Sequence, residues 1–259
     1  MKPQIKRTAP VVAGLAALVL TGCAGGGVGG NAAGSQMGLA DSAIAARDYK
    51  TAATLYGQAF EANPRSVPAL VGLGKSYAGM GQFNRAEQAL LEAKNRSPRD
   101  TDVLIELARV QLAAGNPQAA LANLDIAIKR KPRDISVITA RGIALDGLSR
   151  HAEAQEAYRF GLSMNPTDFA LLSNLGLSLG LSGQTSEGIR ILRELVRDGA
   201  ATANTRGNLA LVYGLAGRDG EAAATLKGDL SPAQIQNNLA YYRELRGLLA
   251  QGKPIGGLR

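Results

Sequence analysis

The chain repeats itself every 34 residues, and this period constrains its fold more than any other feature. Prolines recur at this interval, at Pro64, Pro98, Pro132 and Pro166. Two residues after each proline comes a small polar residue, and the series reads Ser66, Asp100, Asp134, Asp168 and, one interval later, Thr202. Proline ends a helix, and Ser, Asp or Thr caps the next one by accepting a hydrogen bond from a free backbone N–H. Each unit therefore ends one helix and starts another at the same place.

Within each unit the apolar residues are spaced by three and four, which indicates one buried stripe per helix. In the unit 67–100 they are Leu70, Leu73, Gly74, Tyr77, Ala86, Leu90 and Ala93. Glycines fall where a turn must join the two helices, at Gly81, Gly115, Gly183 and Gly217. The pattern resembles the tetratricopeptide repeat, a helix–turn–helix unit. This resemblance implies an all-α fold, a right-handed superhelix of about six helix pairs over residues 35–230.

The sequence after the repeats predicts one more helix. Ser231 is placed to cap it, and Pro232 suits its first turn. We expect this helix over 231–250, where it would cover the open end of the stack, because solenoids need a capping unit. Residues 251–259 are expected to be a flexible tail.

The N-terminus has the three parts of a secretory signal over 1–22: a basic start, an apolar run of about a dozen residues, and a small-residue end. The run closes with Leu20-Thr21-Gly22-Cys23, which resembles the bacterial lipobox and implies that Cys23 carries lipid. The alternative is an ordinary signal peptide with an incidental cysteine. Ala24 follows the cysteine, which by resemblance to the lipoprotein sorting rule favours the outer membrane. Gly-rich sequence makes 23–34 a candidate flexible tether.

Composition argues against most kinds of chemistry. The chain has one Cys and one His, which excludes a disulfide framework and makes a metal site or acid–base catalysis hard to build. We therefore expect no enzyme activity, metal or cofactor, and we interpret His151 as a surface turn residue. Three of the net positive charges lie in the first ten residues, and the rest are spread without interleaved aromatics, so we expect no nucleic-acid partner. The stretch GLGKS at 72–76 lacks the earlier glycine of a phosphate loop, which argues against nucleotide binding.

Candidate binding residues lie beside the buried stripe of each first helix. Asn174 and Asn208 each precede a core leucine, and in peptide-binding tetratricopeptide proteins, which these units resemble, Asn at this place bonds the backbone of an extended ligand. It is equally open that these amides only join neighbouring helices. The same inner face is expected to carry Lys75, Glu106, Arg109, Leu177 and Leu211. The groove would be basic toward the N-terminal half and apolar, with amides, toward the C-terminal half.

The segment 208–246 resembles the C-terminal part of the tight-adherence (Flp) pilus assembly lipoprotein family, TadD. That family joins a lipobox and this repeat array to an Asp-Leu-Ser segment and an Asn-Leu-Ala-Tyr helix, which stand here at 229–231 and 238–241. The resemblance implies a lipid-anchored scaffold at the periplasmic face of the outer membrane that grips a secretin or another pilus component. The alternative is a general periplasmic chaperone or adaptor for outer-membrane protein or cell-wall assembly.

Overall fold

The computed structural model describes residues 29–198, 201–253 and 255. Over these residues the chain forms thirteen α-helices. They are α1 Gly29–Ala45, α2 Tyr49–Ala62, α3 Val67–Gly79, α4 Phe83–Arg96, α5 Thr101–Ala113, α6 Pro117–Arg130, α7 Ile135–Gly147, α8 His151–Met164, α9 Phe169–Leu181, α10 Thr185–Arg197, α11 Ala203–Leu215, α12 Asp219–Leu226 and α13 Pro232–Ala250. The first twelve make six pairs. The expected all-α repeat fold is thus confirmed.

The periodic polar residues begin the helices that the sequence assigns to them. The side chains of Ser66, Asp100, Asp134, Asp168 and Thr202 each accept a hydrogen bond from a backbone N–H in the first turn of α3, α5, α7, α9 and α11. The four predicted turn glycines all have positive φ, between 72° and 86°. Arg47 and Ser149 fill the equivalent turns of the first and fourth pairs with φ near 60°. A non-glycine residue is strained in this conformation. The sequence therefore predicts the turns that contain glycine, but not the turns at Arg47 and Ser149.

The pairs stack so that one layer of helices is more tightly packed than the other. Each odd-numbered helix contacts the next odd-numbered helix as well as its two chain neighbours. Among the described residues, no two even-numbered helices bring their backbones together in this way, although the Lys94 ammonium of α4 reaches across to the Asn123 side chain of α6 at 2.7 Å. A stack that is closer on one side curves toward that side. We therefore call α1, α3, α5, α7, α9 and α11 the inner helices, and their solvent-facing side the inner face.

Glycine allows two helices to approach closely where a larger residue would not fit. A Cβ on Gly188 of α10 would lie 2.5 Å from the backbone oxygen of Gly176 in α9. A Cβ on Gly142 would lie 2.2 Å from the ring of Tyr158, which is itself fully buried. Gly188 departs from the small alanine that other units carry at this place, and the close approach of α9 and α10 explains the departure.

The last helix, α13, covers α11 and α12 at the C-terminal end of the stack. Ser231 and Gln234 form a reciprocal capping box at its start. Asp219 of α12 joins α13 to the stack, because its carboxylate accepts hydrogen bonds from Arg243 at 2.7 Å and from Arg246 at 3.2 Å.

Two expected boundaries differ from the structure. Residues 29–34, expected to belong to a flexible tether, are the first turns of α1. The segment 251–259, expected to be a flexible tail, contains Ile255, which is only 3% exposed and belongs to the same core cluster as Leu179 and Leu181. The contact with the core is made by the single aliphatic side chain of Ile255. The residues just before it have no apolar pattern that would predict this contact.

Candidate functional site

One position of the inner helices recurs along the whole inner face. At intervals of 34 residues it carries Lys75, Arg109, Ile143, Leu177 and Leu211. The first two are exposed, Ile143 is 39% exposed, Leu177 is half-buried, and Leu211 is buried at 9%. The face therefore changes from charged to apolar along the array, and Leu211 is core rather than groove.

The charged part of the inner face is an ion cluster across α3 and α5. Glu106 lies 3.7 Å from the Lys75 ammonium and 3.5 Å from the Arg109 guanidinium. Both cations keep about half of their side chains in solvent, whereas Glu106 is 19% exposed. Pairs of this exposure contribute at most about 1 kcal/mol. One carboxylate is thus shared by two cations, and Lys75 also lines a cavity with Asp41, Asp100 and Asp102, so this part of the face carries charges of both signs.

The two candidate amides have different surroundings. Asn208 of α11 donates to the Ser173 hydroxyl of α9 at 3.2 Å, so it joins neighbouring inner helices. Asn174 is half-buried on α9 and has no side-chain hydrogen bond to the described residues. Of the two open roles, the helix-joining one fits Asn208, and Asn174 retains a donor and an acceptor for a ligand.

An apolar cleft of about 660 Å³ opens where α5, α7 and α9 end. Ile143, Leu177 and Leu181 line its inner-face wall. The opposite wall comes from the end of α5, the turn after it and the starts of α4 and α6, with Leu112, Ala113, Ala114, Gly115, Phe83 and Pro117. Asp146 is the one charged residue among the lining residues described. The seven predicted groove residues are thus not brought together: the ion cluster lies toward the N-terminal end, and Leu177 alone lines the cleft.

Beside the cleft lies a buried polar cluster that joins three helices. Asp146 of α7 accepts from the Ser178 hydroxyl at 2.6 Å and from the Tyr158 hydroxyl at 3.0 Å, and its Oδ1 lies 2.7 Å from His151 Nδ1. His151 is 9% exposed. The interpretation of His151 as a surface turn residue was wrong, because the helix pair closes over the start of α8.

The cluster combines Ser, His and Asp but does not have the geometry of a catalytic triad. A serine nucleophile must donate to the imidazole that takes its proton. Here the Ser178 hydroxyl donates to the carboxylate instead, and it is fully buried. Burial, together with the charge of Asp146, raises the pKa of Tyr158 well above its ordinary value, so its phenol stays a donor. The arrangement ties α7, α8 and α9 together.

The second nitrogen of His151 reaches the end of the chain. Its Nε2 lies 3.2 Å from the carbonyl oxygen of Ile255, 104 positions later in the sequence. After α13 the backbone turns at Gly252, whose φ is 69°, and Lys253 donates its N–H to the Leu248 carbonyl. We call the described residues after α13, 251–253 and 255, the strap. The strap therefore returns from the end of α13 to the start of α8, where His151 also contacts Asp146, a residue of the cleft lining.

Some expectations fall outside these elements. Cys23 and the signal segment 1–22 lie outside the described residues. Among the helices that are described, none has the length and apolar character needed to cross a membrane. Nor do His, Cys, Asp and Glu side chains gather into a metal-ligating group anywhere in the described part of the chain.

Comparison with known proteins identifies the repeat. Residues 43–103 match the family model described as Tetratricopeptide repeat. No curated protein matches the chain.

Solved structures resemble the chain over more of its length. A tetratricopeptide-repeat protein from Parabacteroides merdae ATCC 43184 is 18% identical, with 86% of this chain and 88% of that chain covered and a TM-score of 0.66. A thermophilic tetratricopeptide-repeat protein of Thermus thermophilus is 23% identical. The match covers 68% of this chain and 98% of that chain, with a TM-score of 0.59. A chain of the Cut9–Hcn1 hetero-tetramer of the APC/C is 18% identical. The match covers 82% of this chain and 42% of that chain, with a TM-score of 0.69. The chain therefore folds as a tetratricopeptide-repeat superhelix with its candidate site on the inner face.

Proposed function

We propose that this protein is a lipid-anchored periplasmic scaffold that holds a protein partner during assembly of a tight-adherence (Flp) pilus apparatus at the outer membrane. The apolar cleft on the inner face is the observation that carries the binding role. It leaves Ile143 and Leu177 accessible in a wall that is otherwise packed. Solenoids bind partners on such curved faces, and an extended segment with aliphatic side chains matches this lining.

The proposed location rests on the sequence of the N-terminus. Cys23 follows the apolar run of the signal segment, and two or three acyl chains on it would anchor the protein stably, whereas one would not. The residue after it, Ala24, supports the outer membrane. The proposed partner is the pilus secretin or another component of the same apparatus.

The resemblance to TadD proteins supports the pilus role. The motif residues that carry this resemblance have structural roles at the C-terminal end of the array. Asp229 accepts two hydrogen bonds from the Arg206 guanidinium and so fixes the link between α12 and α13 to α11. Ser231 caps α13. These motif residues build the capped end of the array. Partner choice is therefore assigned to the cleft and not to the motif.

The binding role is tested by a matched pair of substitutions. Ile143→Asp places a charge in the cleft, and Ile126→Asp places one on α6, outside the cleft, at a residue of the same 39% exposure. Ile143→Asp should weaken binding to purified secretin at least tenfold and reduce piliation, whereas Ile126→Asp should leave both unchanged. Equal secretin binding by all three proteins would contradict the proposal. Loss of many unrelated outer-membrane proteins from Ile143→Asp cells, with pili intact, would favour the general chaperone.

The anchor is tested separately. Cys23→Ser should move the protein from the membrane fraction to the soluble periplasm and abolish incorporation of labelled fatty acid. Full membrane retention without label would contradict lipidation. Secretin binding by the purified Cys23→Ser protein should remain, which separates the anchor from the cleft.

A further inference from the structure

The first helix of the array exposes a leucine that other units bury. Leu39 of α1 is 59% exposed, more than any other large apolar side chain that the structure describes. The same repeat position holds a leucine in four later units, and each of these is at most 8% exposed: Leu73, Leu107, Leu175 and Leu209. The exposure of Leu39 therefore follows from its place at the start of the stack.

In later units this position packs against the pair that comes before it. Leu73 of α3 lies in one core cluster with Tyr56 of α2. Where the position holds Arg141 instead of leucine, the guanidinium reaches back to Asp125 of α6 at 2.8 Å. No pair precedes α1 in the described part of the chain. The surface around Leu39 is thus the place where a preceding pair would pack.

This surface can lose its water without leaving a hydroxyl unbonded. Ser42, one turn after Leu39, is exposed and donates to the Gly38 carbonyl of its own helix at 3.0 Å. One repeat later, Ser76 makes the same bond to the Gly72 carbonyl at 2.7 Å and is fully buried. A serine bonded in this way therefore fits a covered surface. We call the side of α1 that carries Leu39 and Ser42 the end face.

The one charged residue of α1 lies away from the end face. Asp41 occupies the inner-face position that Lys75 occupies one repeat later. It accepts a hydrogen bond from the Tyr56 hydroxyl and lines a cavity with Lys75. The side of α1 with Leu39 is therefore uncharged, and an apolar boundary can cover it without burying an unpaired charge.

The chain before α1 brings a membrane within reach of this face. When Cys23 carries lipid, as the proposed function holds, six peptide units join the anchor to Gly29, and they span at most about 20 Å. Leu39 lies about 15 Å along the helix from Gly29. A short linkage raises the effective concentration of a second contact to about millimolar. An apolar area too small to bind a vesicle by itself can then stay on the bilayer.

We propose that the end face of α1 docks on the lipid surface of the anchoring membrane, with Leu39 at the boundary between headgroups and acyl chains. The bilayer covers the N-terminal end of the stack as α13 covers the C-terminal end. Docking directs the pairs away from the membrane, so that the cleft at α5, α7 and α9 stands about 20–40 Å from it. The proposal rests on the lipid anchor of the proposed function and is independent of what the cleft binds.

The test uses the mature lipidated protein in vesicles of phosphatidylethanolamine and phosphatidylglycerol that contain a brominated lipid, which quenches a fluorophore on contact. Cys23 is the one cysteine of the chain and lipid blocks its sulfur, so a cysteine introduced elsewhere is labelled alone. Ser42→Cys labels the end face. Ser163→Cys labels α8, at an exposed serine that also bonds its own helix. Brominated lipid should quench the Ser42→Cys label at least about twofold and leave the Ser163→Cys label unchanged.

Leucine variants in the Ser42→Cys protein give the matched controls. Leu39→Asp should abolish the quenching, because a charge resists transfer into the boundary. Leu39→Ala should weaken it without adding a charge. Leu91→Asp changes a leucine of α4 that is 40% exposed and outside the end face, and it should leave the quenching unchanged. Circular dichroism checks that all three variants keep their helices. Quenching that persists in both Leu39 variants would overturn the proposal.

A second copy of the chain is the competing occupant of the end face. It would shield the Ser42→Cys label from water in the soluble Cys23→Ser protein, increasingly with protein concentration. We expect no such shielding, and shielding that Leu39→Asp abolishes would overturn the lipid contact. Absence of fatty acid on Cys23 would defeat the anchor and the docking together. Fatty acid on Cys23 with an unquenched Ser42→Cys label would defeat the docking alone.

Discussion

At the scale of single residues, small side chains set the distance between helices. Gly188 is the sharpest case, because the group that its Cβ would meet is backbone, which cannot rotate away. Gly57 in α2 is the opposite case: a Cβ there meets nothing within 4 Å. The same substitution should therefore have opposite effects at the two positions.

Gly188→Ala should lower the free energy of unfolding by about 1–3 kcal/mol, as overpacking does. Gly57→Ala should raise it by about 0.5–1 kcal/mol, because alanine favours the helix. Urea denaturation of both variants measures the difference. Equal stability of Gly188→Ala and the wild type would mean that α9 and α10 are less closely packed than described.

The residue scale also shows which parts of the site a sequence can predict. Ile143 occupies the same repeat position as Lys75, Arg109 and Leu177, so the 34-residue register was sufficient to find it. The contact between His151 and Ile255 has no such signal, because it occurs once and joins residues 104 positions apart. Periodicity predicts the features that all repeats have in common. The cluster around His151 occurs in the fourth pair alone, so periodicity does not predict it.

At the scale of elements, α13 is held to the stack by apolar packing and by ion pairs around Asp219. The Arg243 guanidinium, with Arg246 beside it, lowers the pKa of the Asp219 carboxyl. A lowered pKa in the folded state stabilises the fold above the ordinary Asp value of about 3.9. This contribution is lost as the pH falls through the lowered pKa.

Asp219→Asn should therefore lower the melting temperature at neutral pH, and the difference from the wild type should shrink below about pH 4. Glu244→Gln, an exposed change on α13, should leave the melting temperature nearly unchanged throughout. A wild-type minus Asp219→Asn difference that stays constant down to strong acid would show that the ion pairs do not hold α13.

The helices and their order were predictable because caps, turns and apolar spacing all repeat. The ends of the array were not, since the first and last elements face no repeat on one side. There the sequence suggested a tether over 29–34 and a free tail after 250, whereas the structure has α1 and the strap.

At the scale of the whole molecule, the core is unevenly divided. One cluster of buried residues continues from Leu104 to Ile255. The first three pairs also hold three smaller clusters, around Tyr56, Leu90 and Leu70. In a solenoid, local stability follows local packing. We expect the N-terminal pairs to open first.

A pair of equivalent leucines tests this division. Leu90 and Leu192 occupy the same repeat position and are both fully buried, but Leu90 lies in a small cluster and Leu192 in the large one. Either change to Ala should cost about 2–5 kcal/mol locally. Hydrogen exchange should show that Leu90→Ala opens the first three pairs and leaves α9–α13 protected, whereas Leu192→Ala loosens the C-terminal half. Uniform loss of protection in both variants would indicate one cooperative unit.

The strap also gives the array two mechanical halves. In a simple stack a pulling force passes from each pair to the next, so every pair stretches alike. Here the contact between His151 and Ile255 joins the start of α8 directly to the strap. It gives force a second path, in parallel with the path through the fifth and sixth pairs. This second path would resist separation of the fifth and sixth pairs, so we expect the pairs before it to extend first under load. A protein that hangs from its N-terminal end and grips a partner would yield near its anchor and keep its grip rigid.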